Sequence, residues 1–190
     1  MYEAVSQKSQ GERDMSALQT RLHSPGTTPL FILDNFRSAF NVGSAFRTAE
    51  AVSPAAVLLT GVCAVPGNRK LAHSARGTQA SVPWRYFEHA RDAVMWAAGT
   101  GRRVVALERT EDSVSLYEAD FDPSDAFLFG NEALGISPEA LSACGLSVHF
   151  VQSGARNCLN VSSVVAIVAS EIQRRRLGCR TRLPRGGSPA

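Results

Sequence analysis

Asn41-Val42-Gly43-Ser44-Ala45-Phe46-Arg47-Thr48-Ala49-Glu50-Ala51 directly follows an apolar, strand-like run, Leu30-Phe31-Ile32-Leu33-Asp34. Asn41 is a good N-cap for a helix that begins there. Gly43 lets a ligand or another backbone come close to the first turn. Arg47 is the only charged side chain in the otherwise small and apolar first part of the helix. A cation placed beside a strand end suits an anion or an electron-rich oxygen. On this segment alone, an arginine on a solvated helix face is the simpler account.

Two later segments change that balance. Ala126-Phe127-Leu128-Phe129 is a buried-strand pattern that ends in Gly130-Asn131-Glu132-Ala133-Leu134-Gly135-Ile136. Ser137 and Pro138 then read as N-cap and first residue of a short helix. Val148-His149-Phe150-Val151 is followed by Gly154-Ala155-Arg156-Asn157-Cys158-Leu159-Asn160-Val161-Ser162-Ser163, which opens an apolar helix reaching about Arg176. Each is a strand–loop–helix junction of the kind any α/β protein contains. Together they are polar, glycine-bearing loops at strand C-terminal ends, where open α/β sheets bind ligands.

The rest of the chain alternates in the same way. Extended segments are expected at 30–34, 55–60, 82–87, 103–107, 126–129 and 147–151, with helices at 41–52, 69–74, 88–98, 138–143 and 160–177. Such alternation means a parallel sheet with helices on both faces. The 190 residues suffice for one well-buried domain and hardly for two. Residues 1–28 read as a weakly structured arm, 29–177 as the domain and 178–190 as an Arg-rich flexible tail. No apolar stretch approaches the ~20 residues of a membrane span. The first 26 residues lack an apolar signal core, which makes the cytoplasm the expected compartment. Cys63, Cys144, Cys158 and Cys179 show no zinc spacing and are expected to be free thiols. No metal site is expected, and the four scattered histidines read as structural or exposed.

Charge is unevenly distributed. Residues 29–173 carry 11 basic and 14 acidic side chains. Residues 174–190 carry six arginines and no acid. A C-terminal segment of this kind suits phosphate contact or simple solubilisation equally well.

Asn41, Gly43 and Arg47-Thr48-Ala49; Phe129-Gly130-Asn131-Glu132 with Gly135 and Ser137; and Leu159-Asn160-Val161-Ser162 resemble, in order, the three motifs of the SpoU/TrmH branch of the SPOUT RNA 2′-O-methyltransferases. The resemblance covers roughly residues 29 to 177. It implies a Rossmann-like parallel sheet with a deep C-terminal trefoil knot, although elementary topology rules alone favour an unknotted sheet. It also implies S-adenosyl-L-methionine as methyl donor, a tRNA or rRNA substrate methylated at a ribose 2′-hydroxyl, and a homodimer.

Residue by residue, the resemblance makes Arg47, Asn41, Glu132 and Asn160 the catalytic set. Leu107, Glu108, Gly130, Asn131, Glu132, Ile136, Phe150, Cys158 and Leu159 become the cofactor contacts. Arg47, Arg156, Arg180 and Arg182 are expected at the RNA. Cys158 stands where the family usually has serine, and Phe150-Val151-Gln152 where it usually has Ile-Pro-Met. A guanidinium stays protonated in proteins, so stabilising a developing alkoxide suits Arg47 better than acting as a base. The alternative is a non-catalytic RNA-binding knot protein serving as an assembly factor. A dinucleotide-dependent oxidoreductase is disfavoured, because no Gly-x-Gly-x-x-Gly follows the first strand.

Overall fold

The computed structural model describes residues 28–52, 56–152 and 159–178. Among these residues seven strands form one sheet in which every pairing is parallel. In chain order the elements are β1 (Leu30–Leu33), α1 (Ala39–Ala51), β2 (Ala56–Thr60), α2 (Arg69–Ala75), β3 (Trp84–Phe87), α3 (Ala90–Gly99), β4 (Val104–Leu107), β5 (Val114–Ser115), β6 (Ala126–Phe129), α4 (Pro138–Leu141), β7 (Leu146–His149) and α5 (Val161–Arg176). A short 3₁₀ turn, Thr78–Ala80, links α2 to β3. The strand order is β3-β2-β1-β6-β4-β7-β5.

The central strands read as continuous apolar runs because both of their faces are covered. Leu30, Phe31, Ile32 and Leu33 of β1 are all fully buried. Strand alternation then divides them between two cores. Phe31 and Leu33 join Phe46, Leu71, Phe127, Phe129, Val165 and Ile172 beneath α1, α2 and α5. Leu30 and Ile32 join Leu58, Val94, Leu128 and Ala140 beneath α3 and α4.

Several boundaries differ from the sequence expectation. Helix α1 begins two residues early, at Ala39, and its N-cap is Ser38, whose hydroxyl accepts from the Asn41 N–H. Asn41 therefore sits inside the first turn with its side chain released for tertiary contacts. Ser137 does precede α4, but its hydroxyl donates to Asp34 instead of capping the helix. Strand β5 was not expected. Two residues carry no periodic signal, and β5 exists only because it pairs with β7.

Gly43 answers which neighbour it admits: the backbone of α2. A Cβ there would overlap Ser74 Oγ and lie 2.5 Å from the Leu71 carbonyl oxygen. Burial pushes the Cys63 thiol up to about 11 and that of Cys144 to about 12, so both remain protonated thiols at neutral pH.

Three of the six C-terminal arginines, Arg174, Arg175 and Arg176, do not form part of a free basic segment. Arg174 and Arg175 pair with the buried Glu171. Arg175 also donates to the carbonyls of Leu116, Ala119 and Phe121 and stacks on the Phe121 ring at 3.6 Å. Arg176 donates to the Val52 carbonyl. These three cations tie α5 to the domain and are spent on protein carbonyls and carboxylate, which leaves them poorly placed for phosphate.

The trefoil knot that the resemblance implies would involve the connection from β7 to α5, of which residues 153–158 lie outside those described. The arm 1–27 and tail 179–190 also lie outside them. No helix among the described residues is long and apolar enough to cross a membrane.

Candidate active site

A cavity of about 320 Å³ opens at the C-terminal ends of β4, β6 and β7. Strand β4 contributes Leu107 and, just beyond it, Glu108. The β6 end contributes Phe129, Gly130, Asn131 and Glu132. Strand β7 and its extension add Val148, His149 and Phe150, and the entrance to α5 adds Leu159, Val161 and Val164. The wall is thus apolar over the sheet and polar at the loops. That division suits a flat heteroaromatic group with a charged tail.

The β6–α4 loop is held tight by its own backbone. Asn131 and Gly135 exchange hydrogen bonds of 3.1 and 3.0 Å. Asn131 Oδ1 accepts from the N–H groups of Ala133 and Leu134, both at 2.9 Å. A side chain at Gly130 would run into the backbone of Gly135 and Ile136. Gly135 has φ +69° and lies against Glu108, so it too excludes a Cβ. Glu108 Oε2 accepts from the Ile136 N–H at 3.1 Å, and its other oxygen accepts from the Arg109 N–H at 3.2 Å. The buried Asp34 carboxylate accepts from both the N–H and the hydroxyl of Ser137, at 2.8 and 2.7 Å. Asp34 after β1 and Glu108 after β4 therefore clamp the same, α4-side end of the loop at the neighbouring residues Ile136 and Ser137.

Three distant segments meet at the cavity edge. The Asn41 amide donates to Glu132 Oε1. Asn160 donates to Asn41 Oδ1 at 3.3 Å. Asn160 is also the N-cap of α5, accepting from the Ser162 N–H at 2.9 Å and its hydroxyl at 2.6 Å. One residue from each sequence motif thus joins a continuous polar chain. Asn41 is nearly buried, whereas Glu132 and Asn160 are exposed.

The expected site residues separate into groups. Leu107, Glu108, Gly130, Asn131, Glu132, Phe150 and Leu159 line the cavity. Ile136 does not: its side chain packs in the core beneath α3 and α4, and only its N–H serves the loop. Arg47 is exposed and lies in a separate groove of about 600 Å³ between α1 and α5, beside Ser44, Thr48, Ala166 and Gln173. Six residues along a helix from Asn41, it is turned well away from the cavity. Cys158, Arg156, Arg180 and Arg182 lie outside the described residues.

Sequence reasoning missed His149, whose Nδ1 lies 3.0 Å from Ser113 Oγ in the cavity wall. Its position at the end of a strand between two motif loops was the available signal. Among the described residues, no cluster of three His, Cys, Asp or Glu side chains is arranged to hold a metal.

Residues 29–170 match the family model described as SpoU rRNA methylase. The chain is 30% identical over 147 residues to the tRNA (guanosine(18)-2′-O)-methyltransferase of Escherichia coli K12, covering 76% of this chain and 62% of that protein. It is 30% identical over 160 residues to the enzyme of the same description from Thermus thermophilus, covering 83% and 79%. An S-adenosylmethionine-bound rRNA methyltransferase from Sinorhizobium meliloti superposes with a TM-score of 0.72 at 25% identity, over 82% of this chain and 60% of that one. The chain therefore spans less than two thirds of the E. coli relative. With a family model matched across most of its length and three motif segments joined at one cavity, the chain belongs to the SpoU rRNA methylase family.

Proposed function

We propose that the protein transfers a methyl group from S-adenosyl-L-methionine to a ribose 2′-hydroxyl of tRNA or rRNA. The observation that carries this is the cavity at the β4, β6 and β7 ends, edged by the Asn41–Glu132–Asn160 chain. The cofactor fits the donor set. Leu107, Val148, Phe150 and Leu159 provide apolar contact for adenine, and the backbone exposed by Gly130 can meet its edge. The carboxylates of Glu108 and Glu132 offset positive charge on the methionine portion. When bound, the cofactor supplies an electrophilic methyl group with a neutral thioether as leaving group, so neither a metal nor a covalent protein intermediate is required.

The protein's own part is positioning and charge. Asn41 and Asn160 hold Glu132 at the cavity mouth. Arg47 stabilises the oxygen as it loses its proton, a role that a permanently charged guanidinium fills in the transition state. In a single chain Arg47 does not face the cavity. We assign it to the cavity of a second copy, across a homodimer built on the α1–α5 groove. Supporting this, the side-chain oxygen of Gln173 is buried in that groove and has no hydrogen-bond partner among the described residues. A partner donor would remove that cost of about 1–3 kcal/mol.

Calorimetry with S-adenosylmethionine and mass mapping of ribose methylation in RNA from cells lacking the protein test the reading together. Micromolar or tighter cofactor binding and one missing 2′-O-methyl group are expected. RNA binding without cofactor binding would identify a non-catalytic RNA-binding protein instead. Light scattering tests the assembly, and a monomer at micromolar concentration would refute the shared site.

A further inference from the structure

Charge along the described domain is divided between its two halves. Residues 51–87 contain no aspartate or glutamate, whereas residues 88–173 carry twelve acids against five arginines. Within the acid-free stretch, Arg85 is already engaged, stacked on Phe87 and Trp96 at 4.5 and 5.3 Å. The remaining cations, Arg69, Lys70 and Arg76, belong to α2 and its C-cap. Their spacing sets them with His73 on one side of the helix. All four side chains are exposed, and they make no ion pair or hydrogen bond with a described residue. Lys70 is one of only two lysines in the chain.

This basic face packs against α1, the helix that carries Asn41. The His73 ring meets Phe40 edge-on, with centroids 6.4 Å apart. Phe40 is 48% exposed, whereas the other large apolar side chains of the helix, Val42 and Phe46, are buried. It immediately precedes Asn41, which bonds Glu132 at the cavity. Gly43 brings α2 against α1 at this point. The arrangement is therefore a row of cations, unpaired among the described residues, leading to an exposed aromatic ring one residue before Asn41 on α1.

We infer that the exposed face of α2, Arg69, Lys70, His73 and Arg76 with Phe40, is a docking surface for the phosphate backbone of the RNA substrate. The inference rests on the proposed RNA methylation and deepens it. Arg69 to Arg76 span roughly 10 Å along the helix, enough to meet two or three phosphates at about 3.4 Å per nucleotide along a strand. Phe40 provides a stacking platform for an unpaired base at the end of that row. Charge complementarity selects a polyanion here, and the acidic other half of the domain repels one.

The test combines R69Q, K70Q and R76N in the full chain. Asparagine is chosen at position 76 because Arg76 has φ +55°, a conformation that asparagine tolerates. The measurements are RNA binding between about 50 and 200 mM salt, steady-state methyl transfer and cofactor affinity. The wild-type log–log salt slope should flatten by about 2 for three lost phosphate contacts. The KM for RNA should rise at least tenfold at low salt, with kcat and cofactor affinity retained. R69K with R76K should keep the wild-type slope, and R91Q on the opposite side of the sheet should leave it unchanged. A wild-type protein that methylates RNA while the triple variant keeps its slope and KM overturns this surface alone. A wild-type protein that neither binds nor methylates RNA overturns the underlying function instead. A triple variant that dissociates into monomers with an unchanged salt slope assigns the face to a second copy and refutes the proposal.

Discussion

Gly43→Ala tests whether the close approach of α1 and α2 holds the site together. In an ordinary exposed helix interior this substitution stabilises, since alanine is better than glycine by about 1 kcal/mol. The structure predicts the opposite sign. A Cβ at position 43 would overlap Ser74 Oγ, lie 2.5 Å from the Leu71 carbonyl oxygen and lie 2.9 Å from the Ala75 nitrogen. The serine hydroxyl can rotate away, but the two backbone atoms can be relieved only by moving α2. Restoring ordinary contact needs a shift of roughly 1 Å. Overpacking of that kind costs about 1–3 kcal/mol, so after the propensity gain the net loss is about 1 kcal/mol. At about 2–4 °C per kcal/mol for a domain of this size, Tm should fall by about 3 °C. Transfer should fall further than stability, because the same turn carries Asn41. Differential scanning calorimetry beside initial-rate assays reads both. Adding Ser74→Ala should recover little of the loss, since the Leu71 and Ala75 backbone atoms remain in place. A rise in Tm on Gly43→Ala would refute the packing argument.

Arg47→Ala should reduce methyl transfer about 100-fold or more, with cofactor affinity by calorimetry within about twofold, because its proposed role is on the oxygen in the transition state and not on the bound cofactor. Gly130→Ala should weaken cofactor binding more than tenfold, about 1.4 kcal/mol, since the new methyl group forces the loop away from Gly135; unchanged affinity in equilibrium dialysis would place the cofactor elsewhere. Burial raises the Glu171 carboxyl, but hydrogen bonds from Arg174 and Arg175 outweigh that effect and hold it below its ordinary value. A group depressed in the folded state stabilises above its unfolded pKa, and that contribution is lost as pH falls through the folded value. Glu171→Gln should therefore cost about 1–3 kcal/mol near neutral pH, and the gap in melting temperature to the wild type should begin to close only as pH falls below the ordinary glutamate value of about 4.3; a pH-independent gap would contradict the ion-pair account.

The strands and most helices were legible because each is a local pattern. Leu30 to Leu33 and Ala126 to Phe129 are apolar runs bounded by polar turns, and that is how a strand covered on both faces reads. Gly43 was legible as a site of close approach, though not which neighbour approaches it, and Gly130 and Gly135 only as marking a turn. The three motif loops could be located at strand ends, and the resemblance they carry could be checked against the family. None of this depends on the order of strands in the sheet.

Everything that depends on that order had to come from the tertiary structure. Asn41 and Glu132 are 91 residues apart, and Asn41 and Asn160 are 119 apart. They meet because β6 inserts between β1 and β4, with β7 beyond, and no periodicity encodes that insertion. The same holds for Ser38 replacing Asn41 as cap, for Ile136 packing away from the cavity and for Arg47 facing the α1–α5 groove. It holds equally for Arg174, Arg175 and Arg176, which look like a free basic run until carbonyls from residues 52 and 116–121 arrive beside them. A sequence determines which faces must be buried, because burial follows from spacing along one element. Which buried faces come together, and so which polar groups share a site, is decided only when the elements pack.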